Sequence, residues 1–121
     1  MDDSQPVFIQ IIRMIEDDII AGVYKADDLI VSTTQIAKIQ SVNPTTAVKA
    51  VSKLTDAGVL YKRRGIGMCV APGAREAIIG RRRESFLSQT LPDFLSEART
   101  LGITGADLLT LIQQQERKNH D

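Results

Sequence analysis

The sequence predicts a mainly α-helical protein with one small β-hairpin. Apolar residues recur at helical spacing over most of the 121 residues. Strand-forming residues cluster in two short runs, Val59–Tyr61 and Met68–Val70, on either side of a basic, glycine-containing segment. Pro72–Gly73 then punctuates the chain. We therefore expect an N-terminal domain over residues 1–72 and a helical tail over residues 73–121.

The first predicted helix supports the core. Its apolar stripe begins at Phe8 and continues to Ile19, and Gly22 ends it. After a connector, Leu29–Val31 is expected to add a short strand to the hairpin.

A short helix, a tight turn and a longer helix follow between residues 32 and 58. Ser32 is a good N-cap, with Gln35 placed as in a capping box. Ile36, Ala37 and Ile39 give the short helix an apolar side.

The longer helix begins at Asn43, a second cap, and at Pro44, whose missing N–H costs nothing in the first position. The residues expected to pack inward share helical spacing: Ala47, Val48, Ala50, Val51 and Leu54. The opposite face carries Thr45, Thr46, Lys49 and Lys53. Hydroxyls at a helix start, with cations further along, suit a helix that meets DNA bases and phosphates.

The hairpin is predicted to have the basic tip Lys62–Gly67, whose glycines permit a tight turn. From Lys38 to Arg64 there are six cations and one anion, a local charge of +5 in a chain of zero net charge. Cations at such a tip suit a phosphate backbone or a narrow minor groove. The order is that of a winged helix-turn-helix, whose second helix enters a DNA major groove.

The stretch VNPTTAVKAVSKLTDAGVLYKRRGIGMCV closely resembles the GntR family of bacterial transcriptional regulators, in particular its short YtrA-like branch. Thr34 stands where relatives commonly carry an arginine that contacts DNA. Val48-Lys49 stands where many relatives carry an Arg-Glu pair. The operator sequences of relatives are therefore not assigned to this chain. The residues and the resemblance together give the candidate DNA-binding set: Ser32, Thr34, Asn43, Thr45, Thr46, Lys49, Lys53, Lys62, Arg63, Arg64 and Gly65.

The tail is predicted to form helices from Ala74 to about Leu91, from there to Gly102, and from Thr104 onward, with a polar end that frays. Pro92 either breaks or starts a helix. A tail this apolar and this small indicates pairing with a second copy, and the competing hypothesis is that it folds back on the first domain. The candidate dimer interface is Ile79, Phe86, Leu87, Phe94, Leu95, Leu108, Leu109 and Ile112.

The sequence leaves three roles for the arginine run Arg81–Arg83: a solvated helix face, a second phosphate contact, or a salt-bridge group across a dimer. Cys69 is expected to be a small hydrophobic residue of the strand. With one His and one Cys, the chain cannot build an ordinary zinc site. No nucleophile–base arrangement, P-loop or dinucleotide-binding fingerprint is present, so we expect no enzyme, no metal and no cofactor.

These observations favour a homodimeric, sequence-specific DNA-binding regulator on a near-palindromic, double-stranded operator. The resemblance favours a repressor over an activator and transporter genes as targets. It leaves room for an unidentified small-molecule effector. The single cysteine and the lack of an apolar run of about 20 residues indicate a cytoplasmic protein without a membrane segment. The alternative is a winged-helix module that binds protein, and the local charge of +5 argues against it.

Overall fold

The computed structural model describes residues 5–120, which divide into two compact units, one up to Arg81 and the other from Arg82 onward. The elements of the first unit are α1 (Val7–Ile20), α2 (Thr33–Ile39), α3 (Pro44–Asp56), β1 (Leu60–Arg63) and β2 (Gly67–Val70). Helix α4 (Ala74–Ser85) contains the division. The second unit continues with a π-helical segment (Phe86–Thr90), α5 (Leu91–Thr100) and α6 (Gly105–His120).

The core of the first unit lies where α1 and α2 pack against α3. The stripe predicted for α1 supplies Ile11, Ile15 and Ile19, all almost fully buried. Helix α3 contributes residues of one face, Ala47, Ala50, Val51 and Leu54. Burying such side chains is the main favourable term in folding, at about 25 cal/mol per Å² of apolar surface. The helix-turn-helix is therefore held by a three-helix core.

The two predicted caps are confirmed. The Ser32 hydroxyl accepts a hydrogen bond from the Gln35 backbone N–H, and the Gln35 side chain accepts one from the Ser32 N–H, each at 3.2 Å. The Asn43 side chain accepts from the Thr45 N–H at 3.0 Å, with Pro44 in the first helical position. Between the helices, Ser41 has φ +53° and Val42 packs against the core, as expected of a tight turn.

The hairpin is antiparallel and pairs Leu60 with Val70 and Arg63 with Gly67. The strands therefore extend further toward the tip than predicted, and the tip is shorter, since Lys62 and Arg63 lie in β1. At its other end β1 begins at Leu60 and does not include Val59, which was predicted to lie in it. The expected strand at residues 29–31 is reduced to one bridge between Leu29 and Cys69.

Helix α4 starts in the same core, because Ala74 and Ile78 are buried with the residues of α1 to β2. The core of the winged domain thus extends beyond Pro72. Cys69 is fully buried, as its place in the strand predicted.

The second unit is helical with little core of its own. Among its described residues, Ala98 and Leu108 are the buried apolar side chains. Pro92 lies in the first turn of α5, and the π-helical segment precedes it without a break in helical backbone at Thr90 or Leu91. Thr104 and Asp107 cap α6 reciprocally at 3.0 and 3.1 Å. Helix α6 continues to His120 and so includes the polar end that was predicted to fray.

Within residues 5–120, none of the helices combines the length and the apolar character that a bilayer span requires.

Candidate nucleic-acid interface

The outer face of α3 is the central surface of the candidate site. Its exposed residues are Asn43, Thr45, Val48, Lys49, Ser52 and Lys53, while Thr46 is half-buried. The Thr45 hydroxyl donates to Asn43 Oδ1 at 2.7 Å, so the two side chains at the start of the helix hold each other. This arrangement presents short polar groups at the N-terminal end of the helix, where anions and base edges are bound most easily.

Val48 corrects the sequence-based assignment of the core. It was predicted to pack inward, yet its side chain is 52% exposed. Helical spacing allowed either placement, because Val48 lies one turn from the buried Val51 at the margin of the apolar face. Ile39 of α2, also predicted as apolar support, is 68% exposed.

Lys49 contacts another side chain of the same protein. Its ammonium lies 4.1 Å from the centre of the Phe8 ring of α1, a cation–π contact. Lys53, one turn further along α3, is exposed. The two lysines therefore follow the edge of α3 that faces α1.

The other edge of α3 borders a groove. The start of α2, the strand β1 and the hairpin tip line it together: Ser32, Thr33 and Gln35, then Val51, and then Lys62 and Ile66. Thr34, the predicted α2 contact, is exposed beside these residues. The structure thus brings the predicted residues Ser32 and Lys62 to one concavity beside α3.

The wing carries a short chain of hydrogen bonds that the sequence did not reveal. The Tyr61 hydroxyl donates to Asp27 Oδ1 at 2.6 Å, and Arg63 Nη2 donates to the Tyr61 oxygen at 2.9 Å. Arg63 also lies 4.0 Å from the Asp27 carboxylate. The hydrogen bond to Asp27 raises the pKa of Tyr61 above its ordinary value of 10.0. Arg63 is thereby oriented by the protein.

Arg64 and Gly65 form the exposed tip together with Ile66. The Ile66 N–H donates to the Arg63 carbonyl at 3.0 Å, and Gly65 has φ +78°. A left-handed backbone of this kind favours glycine. The turn therefore projects the Arg64 side chain from the end of the hairpin.

The candidate dimer residues differ in exposure. Ile79, in the first unit, is half-buried. In the second unit, the exposed candidates are Phe86, Leu87, Phe94, Leu95, Leu109 and Ile112. Leu108 is 8% exposed, so it belongs to the small core of that unit rather than to the exposed face.

The arginines of the run Arg81–Arg83 also differ in their contacts. Both Arg81 and Arg83 are exposed, but Arg81 also forms an ion pair and hydrogen bond with Glu16, which is 5% exposed. Glu16 lies among the buried isoleucines of α1, and an acid at such a position is a sequence signal for a cationic partner.

No protein-family model matches the chain. The HTH-type transcriptional repressor YtrA of Bacillus subtilis is 25% identical to it over 100 residues, which are 83% of this chain and 76% of the relative. A solved structure of a putative transcriptional regulator of the GntR family from Bacteroides thetaiotaomicron is 30% identical, with a TM-score of 0.77. The match covers 94% of this chain and 99% of that one.

A second solved structure includes DNA. The AraR DNA-binding domain in complex with operator ORX1 is 28% identical, with a TM-score of 0.53 over 55% of this chain and 81% of that one.

Proposed function

Since the chain belongs to the GntR family of transcriptional regulators and resembles its short YtrA-like members, we propose that two copies bind a near-palindromic DNA operator and repress transcription. Helix α3 of each copy enters a major groove, and the hairpin contacts the flanking backbone. Regulators of this kind act by binding, and the chain is not an enzyme.

The observation that carries the proposal is the position of α3 beside the wing. The outer face of α3 carries hydroxyls, an amide and two lysines, and the groove next to it is bordered by Ser32 and Lys62. Arg64 extends the cationic surface beyond the groove. Short polar groups suit base edges and phosphates, and the flanking cations suit the phosphate backbone. The AraR domain bound to its operator supports this use of the fold.

Dimerisation is supported by the second unit. Six of its candidate interface side chains are exposed and apolar, including both Phe86 and Phe94. Contiguous exposed apolar side chains mark protein interfaces. A two-fold dimer presents two α3 helices to half-sites about 34–36 Å apart, which matches one turn of DNA.

The finer assignments rest on the relatives. The name of the YtrA relative supports repression, and the family resemblance supports transporter genes as targets and the cytoplasm as the location. A small-molecule effector, of unidentified chemistry, would bind between the two copies.

The deciding experiment is selection of bound fragments from random double-stranded DNA with the full chain. We expect an enriched sequence with two-fold symmetry. Affinity for it should fall steeply between 50 and 200 mM salt, by about 1000-fold for six phosphate contacts. Failure to enrich any sequence at low salt would contradict the proposal and favour the protein-binding alternative.

A further inference from the structure

Val48 occupies a place in the candidate site that folding does not explain. It is a β-branched residue, less favourable in a helix than Ala, and half of its surface is open to solvent. It lies one turn before Val51, which lines the groove shared by Ser32 and Lys62. Helical spacing therefore places the isopropyl group on the same side of α3 as Val51, although Val48 itself does not line the groove.

Two polar neighbours of Val48, Thr45 and Lys49, contact other residues of the protein, whereas Ser52 is exposed. The Thr45 hydroxyl donates its proton to Asn43 at 2.7 Å. The Lys49 ammonium lies over the Phe8 ring, on the α1 side of the helix. Val51 is buried, whereas Val48 is 52% exposed, so Val48 offers an apolar surface to a ligand that lies against the outer face of α3.

An apolar side chain can distinguish one base from the others. In the major groove, T presents a C5-methyl group that A, G and C lack. Placing a methyl group against an isopropyl group removes apolar surface of both from water. Polar base edges gain nothing from the same contact.

We propose that Val48 is a specificity-determining residue that contacts the C5-methyl group of one thymine in each operator half-site. This inference depends on the proposed function, because it requires α3 to enter the major groove. It names the chemistry that α3 reads: a T·A pair at one fixed position, recognised by a methyl group rather than by a hydrogen bond.

Replacement of thymine by deoxyuridine tests this directly. The replacement removes only the C5-methyl group and keeps the O4 acceptor. Each thymine of one half-site of the selected operator is replaced in turn, and the affinity of the full chain is measured. We expect one position at which affinity falls about four-fold, the value for losing one buried methyl group. Val48→Ala should bind the unmodified operator more weakly by a similar factor and should be insensitive to deoxyuridine at that position.

Two controls keep the result interpretable. Val23→Ala alters another exposed valine, in the turn after α1, and should keep the full deoxyuridine effect. Circular dichroism of Val48→Ala checks that the fold is intact, and Val48→Thr, which retains one methyl group, should keep an intermediate effect.

The outcomes separate the two proposals. A chain that enriches no DNA sequence contradicts the proposed function and this inference with it. A chain that binds its operator but responds to no deoxyuridine overturns the inference alone. So does a deoxyuridine effect that is unchanged in Val48→Ala.

Discussion

Tyr61 shows how one side chain can link distant parts of the winged domain. It donates to Asp27 and accepts from Arg63, and the first of these bonds raises its pKa. Because the folded pKa is raised, the stabilisation is present at neutral pH and is lost as the pH rises from about 10 through the folded pKa.

This shift can be measured optically. In a Tyr24→Phe background, Tyr61 is the single tyrosine, so ultraviolet absorbance follows its ionisation alone. We expect a midpoint above 10, and a lower midpoint when Asp27→Ala removes the acceptor. Identical midpoints with and without the Asp27 carboxylate would show that the hydrogen bond does not exist in solution.

Glu16 is a second residue whose partner matters. Its carboxylate is buried in the first unit, and Arg81 neutralises it from α4. Arg81→Met should lower the free energy of unfolding by about 1–3 kcal/mol, since a buried acid loses an ionic hydrogen bond. The matched control is Arg83→Met at an exposed position, expected within about 0.5 kcal/mol of the wild type in urea denaturation. Equal stability of the two variants would count against the ion pair.

At the scale of elements, the hairpin tip depends on Gly65. Its φ of +78° is unfavourable for a β-branched residue, although no atom lies within 4 Å of an added Cβ. Gly65→Val should therefore cost about 1–2 kcal/mol of conformational strain. It should reduce operator affinity more than thermal stability, because Arg64 is displaced. Gly65→Asn, which tolerates left-handed backbone, should retain most of the affinity, and equal losses for Val and Asn would refute a backbone origin.

The same wing predicts a distinctive salt dependence. Arg64 is exposed at the tip, and we expect it to contact a phosphate. Arg64→Ala should weaken binding to operator variants uniformly and lower the slope of log affinity against log salt by about 1. The control is Arg117→Ala, an exposed arginine of α6. An unchanged slope for Arg64→Ala would assign the tip a purely structural role.

At the scale of the whole molecule, operator binding is expected to depend on pairing through the second unit. Phe94 is exposed within an apolar set, so Phe94→Asp would place a charge in the interface at a cost of several kcal/mol. Sedimentation should show dimers for the wild type and for Ser96→Asp at an exposed polar position, and monomers for Phe94→Asp. The monomeric Phe94→Asp variant should bind the two-half-site operator more weakly, because its two copies no longer bind as one linked pair. A monomeric wild type with full operator affinity would contradict the dimer.

The sequence by itself determined the local features of this protein. The Ser32–Gln35 and Thr104–Asp107 caps and the start of α3 at Pro44 were all predicted correctly. Each depends on groups within four residues of one another, and such interactions act whatever the rest of the chain does. The family resemblance extended these features to the correct overall fold.

Only the tertiary structure decided whether residues at the edge of an apolar helix face are buried, and which residues far apart in the sequence make contact. Whether Val48 packs inward depends on where α1 and α2 cover α3, because a residue at the edge of an apolar stripe has no preferred side of its own. Three contacts join residues that lie 34 to 65 positions apart in the sequence: Lys49 with Phe8, Tyr61 with Asp27, and Arg81 with Glu16. Sequence periodicity does not predict these pairs, because they depend on how the helices and strands pack against one another in three dimensions.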